Sequence, residues 1–183
     1  MKNLTLYIAL LLFGCEQPWD FNERYFIAKG THSSGIKAEF LQSSVLGFYA
    51  TFDSSAIYTS RTEVNQWDTN KLMGFADCNS YHHDNSARFG WRWLEGQLDI
   101  MVYAYVDGDR VIEKIGEARI GEPSYYEIQL TNSEYIFYFN NKTINVTRNN
   151  DCNKGGYYML YPYFGGDEVA PHDITIYIKR EYM

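Results

Sequence analysis

Apolar and polar residues alternate along most of this chain with a period of two. In Ala87–Trp93 (ARFGWRW) the odd positions are apolar and the even ones are Arg, Gly and Arg. Gln97–Val106 continues with Leu98, Ile100, Val102 and Ala104 on one face and Asp99, Met101, Tyr103 and Tyr105 on the other. That period puts successive side chains on opposite faces of a strand. Glu95-Gly96 between the two runs reads as a turn, and Asp107-Gly108 after them as a hairpin signal. Tyr126–Leu130, Tyr135–Phe139, Thr143–Arg148 and Ile174–Ile178 read as further strands, with Thr131-Asn132-Ser133 and Asn140-Asn141-Lys142 as turns. No long stretch carries apolar residues at helical spacing. Many short strands with polar turns between them predict an all-β chain, a two-sheet antiparallel β-sandwich. Each long strand has an apolar face for the other sheet and a face of Tyr, Arg and Asp for solvent or a ligand.

The first residues break this pattern. Lys2 precedes an apolar run, Leu4–Phe13, closed by Leu12-Phe13-Gly14-Cys15. Spanning a bilayer needs about 20 residues, whereas a signal-peptide core needs roughly 7–15. The segment resembles the signal of bacterial lipoproteins, ending in a lipobox, although Phe13 is bulkier than the usual residue there. The resemblance implies a diacylglycerol on the Cys15 sulfur, cleavage before it and acylation of the new N-terminus. It places the chain in the bacterial cell envelope, lipid-anchored at the outer membrane or cell surface. The alternative is an ordinary secreted chain in which Cys15 is incidental. The organisation expected is a signal peptide at 1–14, the lipidated Cys15 with a short polar tether at 15–24, and one domain at 25–183.

Charge and cysteine content narrow the partners. The net charge is −7, which argues against nucleic acid, whose binding needs a basic stripe. It also disfavours attachment to anionic lipid by charge. Of three cysteines, Cys15 is the lipidation candidate. Cys78 and Cys152 then remain as an even pair in an oxidising compartment, where a disulfide is expected. Its loss would cost about 2–5 kcal/mol. Two buried free thiols are the alternative. Zinc fits poorly, because no Cys-x-x-Cys is present and His82-His83 are adjacent rather than spaced on one face.

The series YYEIQLTNSEYIFYFNNKTINVTR resembles the strand–hairpin–strand late in concanavalin A-like jelly rolls, the superfamily of legume lectins, laminin G-like domains and several glucanases and lyases. The closing YPYFGGDEVAPHDITIYI is similar to their final strands, and Gly47–Phe52 to an initial strand. The resemblance implies a jelly roll over roughly Tyr25 to Lys179 and a polysaccharide or glycan as partner. It does not extend to the enzymes' signatures. The E-x-D-x-E strand of laminarinase-like hydrolases, whose acid and nucleophile sit about 5–5.5 Å apart, is missing. Alginate-lyase-like members carry an Arg-rich strand, a Gln-x-His strand and a Tyr-Lys-Tyr strand. Here Arg88 and Arg92 share a face, no Gln-x-His follows, and Tyr157-Tyr158 lacks the interposed Lys.

Three groups of residues are candidates for chemistry. The loop Asp77–Asn85 (DCNSYHHDN) is dense in polar groups and directly precedes the Arg88 strand. His82 or His83 there could act as a base or hydrogen-bond donor, with Arg88 as their charged neighbour; the plainer reading is a loop of Asx turns. Arg88, Arg92, Asp99, Tyr103 and Tyr105 lie on the polar strand face and suit a glycan-binding surface, with His172 as an outlying member; the plainer reading is cross-strand pairing. Asp167, Glu168 and Asp173 surround a glycine turn and could supply oxygens to calcium, or simply be solvated acids. Trp91 and Trp93 belong with Phe89 and Ala87 on the core face.

Three functions follow. The first is a membrane-anchored glycan-binding module. The second is a polysaccharide-cleaving enzyme, a lyase or glycoside hydrolase, that uses His82 or His83 with Tyr and Arg. The third is a structural or assembly lipoprotein that meets other envelope proteins through strand edges.

Overall fold

The computed structural model describes residues 23–35, 37–148 and 157–182. Cys15, the expected signal and Cys152 lie outside them, and with them one half of the expected Cys78–Cys152 pair. The described chain forms twelve strands: β1 (Glu23–Ile27), β2 (Phe40–Leu41), β3 (Val45–Phe52), β4 (Asn70–Ala76), β5 (Ser86–Leu94), β6 (Gln97–Val106), β7 (Asp109–Ala118), β8 (Ser124–Leu130), β9 (Glu134–Phe139), β10 (Lys142–Thr147), β11 (Tyr157–Leu160) and β12 (Ile174–Tyr182). They build two six-stranded antiparallel sheets. The back sheet has the order β1-β12-β3-β8-β9-β10 and the front sheet the order β2-β11-β4-β5-β6-β7. This is the two-sheet sandwich that the alternation predicts.

The predicted turns fall where expected. Glu95-Gly96 and Asp107-Gly108 join β5 to β6 and β6 to β7, each with φ positive at both residues. That geometry matches the right-handed twist of paired strands. Asn140-Asn141 joins β9 to β10. The β1 strand pairs with β12 from Glu23 onward, and its first two residues, Glu23 and Arg24, fall in the segment expected as tether. Gly47–Phe52 belongs to the third strand in the chain and lies between β12 and β8.

The core lies between the sheets. Ala87, Phe89 and Trp91 of β5 and Leu98, Ile100, Val102 and Ala104 of β6 are all buried there, as the period of two requires. Phe89 meets Tyr126 and Phe137 of the back sheet edge-on, at 5.1 and 5.3 Å between ring centroids, and Trp91 meets Phe52 at 5.2 Å. Burying each such side chain contributes about 1.5–3 kcal/mol. The odd face of β5 is thereby committed to packing, and Arg88 and Arg92 are turned to the outer face of the front sheet.

At one end of the sandwich a buried ion pair ties the two sheets. Arg148, directly after β10, donates through Nε to Asp77 Oδ2 (2.5 Å) and through an Nη to Asp77 Oδ1 (3.0 Å), and Tyr135 Oη donates to the same carboxylate (2.6 Å). Asp77 follows β4 and opens the loop that carries His82 and His83. Its amide bonds Asn85 O (2.9 Å), and Cys78 and Asn79 after it both take positive φ.

Candidate functional site

Five elements bring a polar cluster together on the outer face of the front sheet. Alternation along β5 and β6 presents Arg88, Tyr103 and Tyr105. From β4 comes Lys71. The loop between β4 and β5 supplies Tyr81, His82 and His83, and β11 with the segment after it supplies Tyr158 and Tyr163. Lys71, Tyr81, His82, His83, Arg88, Tyr103, Tyr163 and Gly166 line a cleft of about 340 Å³. A second cleft of about 440 Å³ shares His82, Arg88 and Tyr163 and runs on to Lys37 and Tyr161. A third, of about 270 Å³, shares Lys71, Tyr103 and Gly166 and runs on to Arg92, Arg110 and Trp67. The three are one groove crossing the sheet from β11 to β7.

The centre of the groove is cationic. Arg88 is only 6% exposed. Among the described residues it has no carboxylate within salt-bridge distance, and its Nε has no hydrogen-bond partner. The guanidinium lies 5.0 Å from the centre of the Tyr103 ring, and Lys71 Nζ lies 5.1 Å from the same ring and 5.8 Å from that of Tyr163. Burial lowers the Arg88 pKa. Burial, then the Arg88 charge, brings Lys71 down to about 8. Gly74 faces Arg88 across β4 and β5; a Cβ there would lie 2.3 Å from Arg88 Cβ and 2.1 Å from Ala87 O, so only glycine allows the strands this approach.

The histidines sit at the rim. His82 Nδ1 and Tyr158 Oη are hydrogen-bonded at 3.2 Å, and the His82 carbonyl accepts from Ser86 Oγ (2.7 Å). Burial, then Arg88, lowers the His82 pKa to about 4, so its ring is neutral near pH 7. The same causes lower His83. Burial raises Tyr158, which keeps its proton. His83 packs on Tyr105 at 5.1 Å, and Tyr105 on Tyr103 at 5.9 Å. The groove thus offers buried positive charge, aromatic faces, a neutral imidazole and a phenol proton within one surface.

Other expected residues stand differently. Arg92 donates from Nε to Asp99 Oδ2 (3.1 Å), and Asp99 also holds Lys114 (2.6 Å). Asp99 is therefore consumed in ion pairs, and Arg92 lines only the far end of the groove. His172 does not join the groove: its Nε2 is bonded to Ser55 O (2.8 Å) beside the end of β3. The acids considered for calcium do not gather. Glu168 accepts from the amides of Arg61 and Thr62 and from Asn65, and Asp173 accepts from the amide of Lys29. Among the described residues no three His, Cys, Asp or Glu side chains cluster as metal ligands. Lys71, Arg110, Tyr163 and Trp67 are groove residues that the alternation pattern does not single out. A lone Lys directly before the apolar run Leu72–Ala76 is the one sequence signal for the first of them.

No protein-family model matches the chain, and no curated protein matches it by sequence. Solved structures do match. The alginate lyase AlyC3 is similar with a TM-score of 0.56 at 10% identity, over 87% of this chain and 74% of that one. The same lyase in complex with dimannuronate gives 0.53 at 9% identity, over 87% and 73%. The alginate lyase PA1167 from Pseudomonas aeruginosa gives 0.52 at 9% identity, over 76% and 64%. The fold they share with this chain is a two-sheet antiparallel jelly-roll sandwich. At these identities the likeness is one of fold, and fold alone does not assign chemistry. In a protein of net charge −7, the groove holds Arg88 buried with no carboxylate partner among the described residues.

Proposed function

We propose that this chain binds an anionic polysaccharide, one that carries uronate or comparable acidic groups, in the groove of its front sheet. One observation carries the reading: Arg88 is buried without a carboxylate partner, beside Lys71, over the Tyr103 ring. A buried unpaired cation is costly to the fold. A ligand carboxylate would complete it with a bidentate contact, while the exposed Tyr163 offers aromatic surface to a sugar. Lipidation of Cys15 would hold this surface in the cell envelope, where such polymers are met. The test is binding of the protein to a panel of neutral and acidic polysaccharides on affinity gels. Acidic polymers alone should retard it, and Arg88→Ala should abolish the retardation; preference for neutral polymers, or none for any, would overturn the reading.

A second reading rests on the His82–Tyr158 hydrogen bond beside Arg88. With a uronate carboxylate neutralised by Arg88 and Lys71, a base takes the proton beside that carboxylate. Its electron pair forms a carbon–carbon double bond, the bond to the glycosidic oxygen breaks, and that oxygen takes a proton. The neutral imidazole and the protonated Tyr158 supply an acceptor and a donor of the kind needed. Enzymatic elimination would appear as ultraviolet absorbance of unsaturated ends, abolished in His82→Ala with polymer binding retained. Binding without any such product leaves the first reading alone.

A further inference from the structure

Trp67 is a large aromatic left 54% exposed on the single turn Val64–Trp67, between β3 and β4. Several long-range contacts pin the turn in place. Arg92 donates to the Trp67 carbonyl (3.1 Å) and lies 5.2 Å from the centre of its ring, and Arg92 is itself fixed on Asp99. The neighbouring Gln66 accepts from the amide of Ser60 (2.7 Å) and donates to the carbonyl of Trp93 (2.5 Å). Glu168 clamps the start of the same loop through the amides of Arg61 and Thr62 (2.8 and 3.1 Å). On the other side Asp68 packs on Gly166, where a Cβ would collide with its carboxylate. One face of the indole is covered by the Arg92 guanidinium, and the ring lines the end of the groove opposite Tyr161.

From these observations we infer that Trp67 is a sugar-stacking subsite at the far end of the groove. It would take a ring of the polymer beyond the unit seated on Arg88 and Lys71. The inference rests on the glycan-binding reading above and extends it: the ligand is a chain of several units, read along its length. The sheet gives the room, since β11 to β7 spans four strand spacings, about 19 Å at about 4.8 Å each. A flat aromatic held at low conformational cost is the side chain suited to a sugar face, and Arg110, which lines the same end of the groove, suits an acidic substituent.

The test compares short and long oligosaccharides from whichever acidic polysaccharide the wild-type protein binds, titrated by calorimetry against wild type, Trp67→Ala, Trp67→Phe and Arg88→Ala. Thermal melts of each variant establish that it is folded. Trp67→Ala should weaken the long fragments about tenfold, about 1.4 kcal/mol, and leave the shortest unchanged. Trp67→Phe should keep most of the affinity, and Arg88→Ala should weaken every length. Unchanged binding of long fragments by Trp67→Ala, or equal loss at all lengths, overturns the subsite and leaves the glycan reading standing. Failure of the wild type to bind any acidic fragment overturns the glycan reading and the subsite with it.

Discussion

Among the described residues two arginines are buried, Arg148 at 4% exposure and Arg88 at 6%. Arg148 meets Asp77 through two nitrogens, and Tyr135 completes the carboxylate. Arg88 has an aromatic ring beneath it and, among the described residues, no carboxylate. The chemistry of the two side chains is the same, so the difference lies in what each site was built to hold. A paired buried charge tolerates burial because its partner replaces water, and removing that partner is severe. An unpaired one persists where some other demand outweighs its cost to stability, as functional sites do. Arg148 thus belongs to the architecture, whereas Arg88 is the residue on which the proposed binding site rests.

The largest effect that could break this contrast is at Asp77. Asp77→Ala leaves Arg148 buried and uncompensated and should cost about 3–5 kcal/mol in denaturant unfolding. Adding Arg148→Met should recover much of that loss. A loss below about 1 kcal/mol, the value of an exposed pair, would mean that the two arginines are alike after all. Next is Arg88→Met, which keeps the apolar stem over Tyr103 and removes the charge. Stability should stay the same or rise, because no pair is broken. A loss as large as that of Asp77→Ala would make Arg88 architectural.

The smallest effect concerns Lys71 and pH. Its folded pKa is lowered to about 8 from 10.5, so the folded state releases a proton that the unfolded state keeps. Stability should therefore rise as pH goes from about 8 towards 10.5. Affinity for an acidic polysaccharide should move the other way and fall as pH passes about 8, since the neutral amine no longer attracts the anion. Lys71→Gln should bind more weakly at pH 7 and show neither trend. Calorimetric titrations and melts across that range read both signs.

Much of the fold is legible because β5 and β6 alternate cleanly and end in Gly-containing turns. The same alternation assigns Arg88, Tyr103 and Tyr105 to the outer face, and adjacency along the chain brings His82 and His83 to it. The β4 strand is not legible that way. Its pairing with β5 shifts register between Lys71 and Gly74, so Leu72 and Met73 are buried in succession and the period of two is lost. The β7 strand is an edge strand whose Arg110, Glu113, Lys114 and Glu117 mask its Ile115. Tyr158, Tyr163 and Trp67 reach the groove only because β11 inserts beside β4 and because the loop before β4 is clamped by Glu168. Such encounters join residues far apart in the chain, and no local pattern encodes them. Glu168 and Asp173 show the same gap: each accepts from amides far away in the chain, partners that no local pattern encodes.

The strand order has a consequence for how the molecule comes into being. In the back sheet β12 lies between β1 and β3, and in the front sheet β11 lies between β2 and β4. Neither early pair of strands has its neighbour until the last quarter of the chain arrives. During synthesis the amino-terminal strands must wait, edges open, while the β4–β7 and β8–β10 meanders assemble from local hairpins. Two late strands have to slot into two gaps, the kind of non-local pairing that slows folding. A nascent chain halted before Ile174 has no way to close its back sheet.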